Sequence, residues 1–240
     1  LAATSVSDIV NKLTVSSGAE NRSDSLTQGF SQGTENINLR GLGLSSTLVL
    51  LNGRRQTFSG ALANDGSVFV DTSSIPINAL ERVEILKEGA ASTYGSDAIA
   101  GVVNLILRSD FEGLEITGGH QRVHNGDQSD NTIGILWGDQ FDGTTVTLAT
   151  HYLQRSALRG PSRPTLIDNA VSGLGSSFIA SSATSVASGP YAGDYAAGAY
   201  IPNAQCEEYA EAILSSSVCR FFYGPRFNLV AAETRLQFFT

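Results

Sequence analysis

The chain has 240 residues, of which 16% are charged, 25 are glycine, and the formal net charge is −8. An acidic balance argues against nucleic-acid binding, which calls for a basic face. No apolar run approaches the roughly 18 residues of a membrane-spanning helix. That leaves strands as possible spans, because the alternating signal of a barrel strand is much weaker. The opening LAATSVSDIV carries no Met, basic segment or apolar leader, so a secretory signal is expected to be cleaved or to lie outside this sequence. The strand-like AETRLQFFT at the other end stops without a turn signal, and the chain reads as part of a longer one.

Ser7 and Asp8 are candidate N-caps for a short helix over residues 7–13, with Ile9 and Leu13 on one face. Residues 16–36 are polar and Gly/Ser-rich, the composition of a loop. Asn36 to Arg40 alternates Ile37 and Leu39 with polar neighbours, which predicts a strand broken by Gly41 and Gly43. Thr47 to Leu51 is continuously apolar, as in a strand buried on both faces. Asn52-Gly53 then supplies the positive φ values of a type I′ hairpin. Arg54 to Phe58 is expected to return as a more exposed strand, followed by a polar loop over 59–67. Pro76 suits the first turn of a short helix over Ile77 to Leu80. Val83 to Lys87 alternates as a strand, residues 89–101 read as a small-residue turn and helix, and Val102 to Leu107 reads as a second fully buried strand. Strands interleaved with short helices give a compact α/β unit ending near Arg108.

Beyond Phe111 the pattern changes. Leu114 to Thr117, Ile133 to Trp137 and Val146 to Tyr152 alternate with period two, separated by turns at Gly126-Asp127 and Asp142-Gly143. Antiparallel barrel strands with one face to lipid and one to a wet lumen give this pattern, and they would set Trp137 and Tyr152 near an interfacial belt. A β-sandwich meander has the same periodicity and stays open on this signal alone. Residues 157–231 form a long Gly/Ser/Ala-rich excursion, and excursions of that length are usually functional. Within it CEEYAEAILSSSVC suits a short helix with Tyr209 and Ile213 on one side. Cys206 and Cys219 are the only cysteines. Their spacing suits a structural disulfide in an oxidising compartment, with two unrelated buried thiols as the alternative.

Four segments, in order, carry a family resemblance. Leu39-Arg40-Gly41, LVLLNGR from Leu48, ERVEILK from Glu81 and YGSDAIAGVVN from Tyr94 resemble the signatures of the plug domain of TonB-dependent outer-membrane receptors. Asn52 replaces the commoner Asp of the hairpin, and Ala100 replaces a Gly. The resemblance implies an α/β plug (a small mixed sheet with short helices) over residues 1–110. Antiparallel transmembrane β-barrel strands would follow over 111–240, with the barrel incomplete and residues 157–231 as an extracellular loop. It implies a receptor in the outer membrane of a Gram-negative bacterium that binds a scarce nutrient of the siderophore, cobalamin or oligosaccharide class. Import would use energy relayed by TonB, with ExbB and ExbD, through a segment upstream of this chain. The alternative is a secreted or surface β-rich binding or adhesion module without transport.

Gly41, Asn52, Gly53, Gly95 and Gly101 are expected at structural turns or close backbone approaches. The resemblance implies that Arg40 and Arg108 contact the barrel wall, while Arg54 and Arg55 read as solvated. The hairpin sends loops 16–35 and 54–68 toward one end, which makes Gln56, Phe58, Asn64 and Asp65 candidates for ligand contact. No nucleophile elbow, phosphate loop, H-E-x-x-H or C-x-x-C motif is present, so no enzyme, metal site or cofactor is expected. His120 and His124 lie about 13 Å apart on an extended strand, too far to share one ion. His151 is expected to face the lumen beside Thr147 and Ala149.

Overall fold

The computed structural model describes residues 3–17, 33–88, 90–168, 170–172, 177–208, 212–215 and 218–240. They divide into two compact units, Leu1–Leu158 with Asn228–Thr240, and Arg159–Phe227. Most of the polar loop expected over 16–36 lies outside the described residues.

The first unit opens with helix α1 (Val6–Val10). Its cap is Ser5, two residues before the expected position. Ser5 Oγ accepts from the Asp8 amide at 3.2 Å, while Asp8 Oδ2 accepts from the Ser5 amide at 3.1 Å. This reciprocal box satisfies two orphan donors at once, which Ser7 could not do from inside the first turn. Val6 and Val10 are therefore the buried pair, and Leu13 lies beyond the helix, 40% exposed. The segment from Asn36 to Arg40 is a second correction. It runs extended, but its one bridge is Ser16 to Leu39. Its polar residues Asn36 and Asn38 are buried alongside Ile37 and Leu39. Side chains take the place of a ladder: the Leu39 amide donates to Thr47 Oγ1 at 3.0 Å, and Asn38 Oδ1 accepts from the Gly43 amide at 3.2 Å.

Four strands make a mixed sheet: β1 (Thr47–Leu51), β2 (Arg54–Arg55), β3 (Leu80–Leu86) and β4 (Gly101–Leu107), in the order β2-β1-β4-β3. β1 and β4 are parallel, with Thr47 opposite Gly101, and the outer pairs are antiparallel. The continuous apolar runs are explained by burial from both sides. Val49, Val103, Leu105 and Leu107 enter the main core with Val6, Val10 and Leu39. Leu48, Leu50 and Val102 pack on the other side against Ala90 of helix α2 (Ala90–Tyr94) and Ala98. The turn has the expected form, with Asn52 at φ 49° and Gly53 at φ 75°. β2 is only two residues long, so the expected strand over 54–58 stops early. Asn52 Oδ1 accepts from the Leu107 amide and Asn104 Oδ1 from the Gly53 amide, each at 2.9 Å, which ties the turn to β4.

A second, wholly antiparallel sheet follows: β5 (Gly113–Arg122), β6 (Ser129–Phe141), β7 (Thr144–Arg155) and β8 (Glu233–Phe239), in the order β8-β7-β6-β5. The register rows Ile116–Ile135–Thr150–Phe238 and Leu114–Trp137–Leu148 lie on one face. Leu114, Ile116, Ile133, Ile135, Leu148, Leu236 and Phe238 are all exposed on it. The opposite face carries Leu136 and Ala149 into the same core as Val6, Leu39 and Leu105. One hydrophobic core is thus shared by the α/β layer and the inner face of the strand wall, while an apolar outer face is left to meet something else.

The second unit, within the long loop expected over residues 157–231, contains short hairpins. Ser177–Ile179 pairs with Tyr200–Pro202, and Thr184–Val186 pairs with Gly193–Tyr195. Among the described residues of CEEYAEAILSSSVC the expected helix is not seen. A single 3-10 turn spans Cys206–Glu208, and Ala212–Ser215 then pairs antiparallel with Val218–Phe221. Tyr209 lies outside the described residues. Cys206 and Cys219 are bonded, with Cα atoms 5.7 Å apart across a sequence separation of 13. In a unit of short hairpins this crosslink replaces a large core. Replacing Cys206 by Ser is expected to lower the stability of this unit by about 3 kcal/mol. Amide exchange over 218–221 reads the loss, and unchanged protection there would refute it.

Candidate functional site

The seam between the α/β layer and the strand wall is where the chain concentrates buried polar groups, and each of them is presented by a strand or a pinned loop. Parity supplies the wall side. Leu236 and Phe238 face outward, so Arg235 and Gln237 face inward. Gln237 Nε2 donates to the backbone carbonyls of Ser73 and Ile75, the latter at 3.1 Å, and Gln237 Oε1 lies 3.0 Å from His151 Nδ1. Asn78, from the short 3-10 turn Ile77–Ala79, donates to the carbonyls of Ile135 at 2.9 Å and Thr150 at 3.1 Å. Gly134 makes room for it: a Cβ there would stand 3.2 Å from Asn78 Nδ2.

The ionic part of the seam is a chain of alternating charges. Glu35 Oε1 meets Arg235 Nη1 at 2.9 Å, Arg235 also pairs with Glu233, and Glu233 reaches Arg155 at 3.6 Å. Arg155 holds Asp130 at 2.7 Å. The Glu35 and Arg235 side chains are only 5% and 13% exposed. A pair this deep is costly to open from one side, unlike a surface pair. Thr4 and the capping Asp8 complete this end, since Arg155 Nη2 lies 3.4 Å from Thr4 Oγ1, and Thr4 donates to Asp8 at 2.8 Å.

The sequence-derived residues fall in three places. Arg108 reaches the wall: its Nη1 donates to Glu115 Oε2 of β5 at 2.8 Å. Arg40, expected at the wall, bonds within its own layer in this chain. Its backbone sits at φ 57°, and its guanidinium donates to the carbonyls of Ile99 at 2.9 Å and Ala100 at 3.2 Å, inside the α/β layer. Arg55 is engaged rather than simply solvated, pairing with Asp97 at 2.7 Å and donating to the Tyr94 carbonyl. The Arg55 hydrogen bond holds the exposed Asp97 carboxyl below its usual range, with help from the Ser96 hydroxyl.

Gln56, Phe58, Asn64 and Asp65 lie on the exposed loop beyond the hairpin. Gln56 donates back to the Arg54 carbonyl at 3.1 Å, and Phe58 is 54% exposed. Asp65 Oδ1 accepts from the hydroxyl and amide of Ser67, at 2.6 and 2.9 Å, and these bonds hold its carboxyl below the usual range. Gly41, Gly53, Gly95 and Gly101 all have positive φ. His151 is buried on the inner face, next to Gln237.

Sequence reasoning missed Glu35, Asn78, Arg235, Gln237, Arg155 and Asp130. The alternation in ETRLQFF does place Arg235 and Gln237 opposite an apolar face, a readable signal. Nothing local names their partners, which lie up to 200 residues away.

Comparison with known proteins agrees with this geometry. Residues 1–102 match the TonB-dependent Receptor Plug Domain family. An iron-regulated outer membrane virulence protein of Vibrio cholerae is 38% identical over 78 residues, covering 32% of this chain and 12% of that protein. A ferric enterobactin receptor mutant from Pseudomonas aeruginosa, in complex with enterobactin, superposes with a TM-score of 0.50 at 19% identity. That match covers 74% of this chain and 26% of the receptor. The unliganded ferric citrate transporter FecA gives a TM-score of 0.45 at 19% identity, over 66% of this chain and 23% of its own. The chain therefore spans a small part of the proteins it is similar to.

Proposed function

We propose that the chain, whose residues 1–102 match the TonB-dependent Receptor Plug Domain family, is part of a TonB-dependent outer-membrane receptor and gates the uptake of a scarce metal chelate. The observation that carries this reading is the seam. A small α/β layer is seated on the inner face of an apolar-backed strand wall, and beside the shared hydrophobic core the joint carries buried hydrogen bonds and ion pairs. Such a joint holds the plug shut at rest and can be exchanged for water when it is pulled.

The cargo class is supported by the name of the Vibrio cholerae relative, an iron-regulated outer membrane protein. A siderophore is then preferred over cobalamin or an oligosaccharide. Gln56, Phe58, Asn64 and Asp65, carried on one exposed loop, are the proposed ligand contacts of the plug. TonB, working with ExbB and ExbD, is the proposed source of energy, and outer-membrane lipid is the proposed surrounding of the wall.

The test is uptake of a radiolabelled ferric siderophore by cells whose sole receptor carries this chain. A protonophore is expected to abolish accumulation while surface binding persists. Replacing Asn64 and Asp65 by Ala is expected to weaken binding about tenfold, the equivalent of 1.4 kcal/mol. Accumulation that survives the protonophore would refute energised import. Unchanged affinity in the double variant would remove those two residues from the site.

A further inference from the structure

We propose that the outer face of the strand wall holds a site for the phosphate of an anionic membrane lipid, built by Arg122 and His120 at the rim next to residues 123–128. The proposal rests on the reading of that face as lipid-facing.

Outward parity on β5 gives Leu114, Ile116, Gly118, His120 and Arg122, and on β6 it gives Ser129, Asn131, Ile133, Ile135, Trp137 and Asp139. Three successive rows are largely apolar: Gly118–Ile133–Tyr152–Leu236, Ile116–Ile135–Thr150–Phe238, and Leu114–Trp137–Leu148. The next row toward the 123–128 turn is His120–Asn131–Gln154–Thr234, and the one beyond it pairs Arg122 with Ser129. The apolar band thus gives way abruptly to hydrogen-bond donors on one side. From Asn131 to Asp139 the strand rises roughly 27 Å. A tilt of about 40° reduces this to roughly 21 Å along the membrane normal, close to the ~25 Å apolar height of barrel walls. The His120 row therefore sits at headgroup depth.

The two rims differ in charge. At the far rim the outer face carries Asp139, and the tight turn begins with Asp142. At the near rim it carries Arg122 and His120, with no carboxylate at outward parity in either row; Asp130 and Glu233 face inward, engaged by Arg155 and Arg235. The turn itself adds His124 and Asp127, and Arg122 and His124 line one shallow hollow. Arg122 is exposed and has no hydrogen bond or ion pair among the described residues. His120 is held in place, its Nδ1 donating to Asn131 Oδ1 at 2.7 Å, and as an imidazolium it has an Nε2–H to offer a phosphate oxygen.

In a chain of net charge −8, a guanidinium and an oriented imidazole directly above an apolar band complement a ligand with a phosphate on top of acyl chains. The guanidinium fork matches two phosphate oxygens, and the exposed Ile133 and Ile116 below offer contact to the chains. A soluble anion would gain nothing from those isoleucines, which is why the site is assigned to a lipid.

The experiment uses the complete receptor carrying this chain, with a fluorophore on Ile133→Cys, reconstituted in phosphatidylcholine vesicles. Brominated phosphatidylglycerol is compared with brominated phosphatidylcholine as quencher at equal mole fraction. The expected result is at least twofold stronger quenching by the anionic lipid, falling to parity in the His120→Gln/Arg122→Gln double variant. Equal quenching by both lipids in the parent, or a preference that survives the double variant, would overturn the site. Loss of the preference on adding inorganic phosphate would overturn its assignment to a lipid. Absence of quenching by either lipid would overturn the lipid-facing reading itself, and this site with it.

Discussion

Replacing Gly101 by Ala is expected to destabilise the plug by about 3 kcal/mol or more, a larger loss than at any of the other turn glycines. Gly101 begins β4 at φ +129°, a conformation that L residues rarely adopt. A Cβ there would stand 2.6 Å from the Leu86 carbonyl oxygen and 2.9 Å from Leu39 Cδ1. The Leu39 methyl could rotate away at modest cost. The carbonyl cannot, because Leu86 is paired with Val102 in the sheet and its backbone is fixed by the ladder. Backbone strain of roughly 1–3 kcal/mol and a forced shift costing a similar amount combine at one position. Truncating Leu39 should therefore fail to rescue the variant. Gly53 supplies the control: at φ +75° with nothing within 4 Å, its replacement by Ala carries strain of only about 1 kcal/mol. Urea unfolding of the two variants, monitored by far-ultraviolet dichroism, checks the order. Equal midpoints would mean that β4 does not approach Leu86 as closely as described.

Gly101 also shows which parts of this molecule can be read from its sequence. Features fixed by neighbours in the chain were legible. Asn52-Gly53 makes its turn because two adjacent residues accept positive φ, and Leu48–Leu51 declares burial on both faces by having no polar position. Three of the wall strands declared themselves by alternation, at Leu114 to Thr117, Ile133 to Trp137 and Val146 to Tyr152, while the last read only as strand-like. What failed was set by distant partners. Asn36 to Arg40 looked like a strand because Ile37 and Leu39 alternate, yet Thr47 and Ser16 take the hydrogen bonds that a ladder would have used. Ala212–Ser215 was read as part of a helix, and a hairpin with Val218–Phe221, beside the Cys206–Cys219 disulfide, overrode that reading. Arg40 was assigned to the wall by family resemblance, but its carbonyl acceptors, at Ile99 and Ala100, lie in its own layer. The more deeply buried charges that cross the seam, beside the Arg108–Glu115 pair, come from Glu35 and Arg235. No local pattern could have joined them.

Replacing Arg235 by Ala is expected to loosen that seam by about 3–5 kcal/mol, the usual consequence of stranding one member of a buried ion pair. Glu35 would keep its backbone anchors, since its amide donates to Asp71 Oδ1 at 2.7 Å and its carbonyl accepts from the Thr72 amide at 2.7 Å. Its carboxylate, 5% exposed, would lose the Arg235 guanidinium, which also pairs with Glu233. The plug segment therefore stays folded while its contact with β8 fails. Amide exchange should accelerate over 33–39 and 233–239, with little change at β1 and β4. A double replacement, Glu35→Leu with Arg235→Met, separates the charge effect from simple loss of packing. Apolar residues of similar volume remove the stranded carboxylate and should restore most of the stability. The same variant should still fail as a receptor if the seam works by exchanging ion pairs for water, because an apolar joint gains nothing from water when it opens. In the complete receptor, Arg235→Ala is then expected to admit bulky solutes that an intact plug excludes, whereas the apolar pair should seal well and import poorly. Normal import by a well-sealed apolar pair would show that the charges serve only to position the plug.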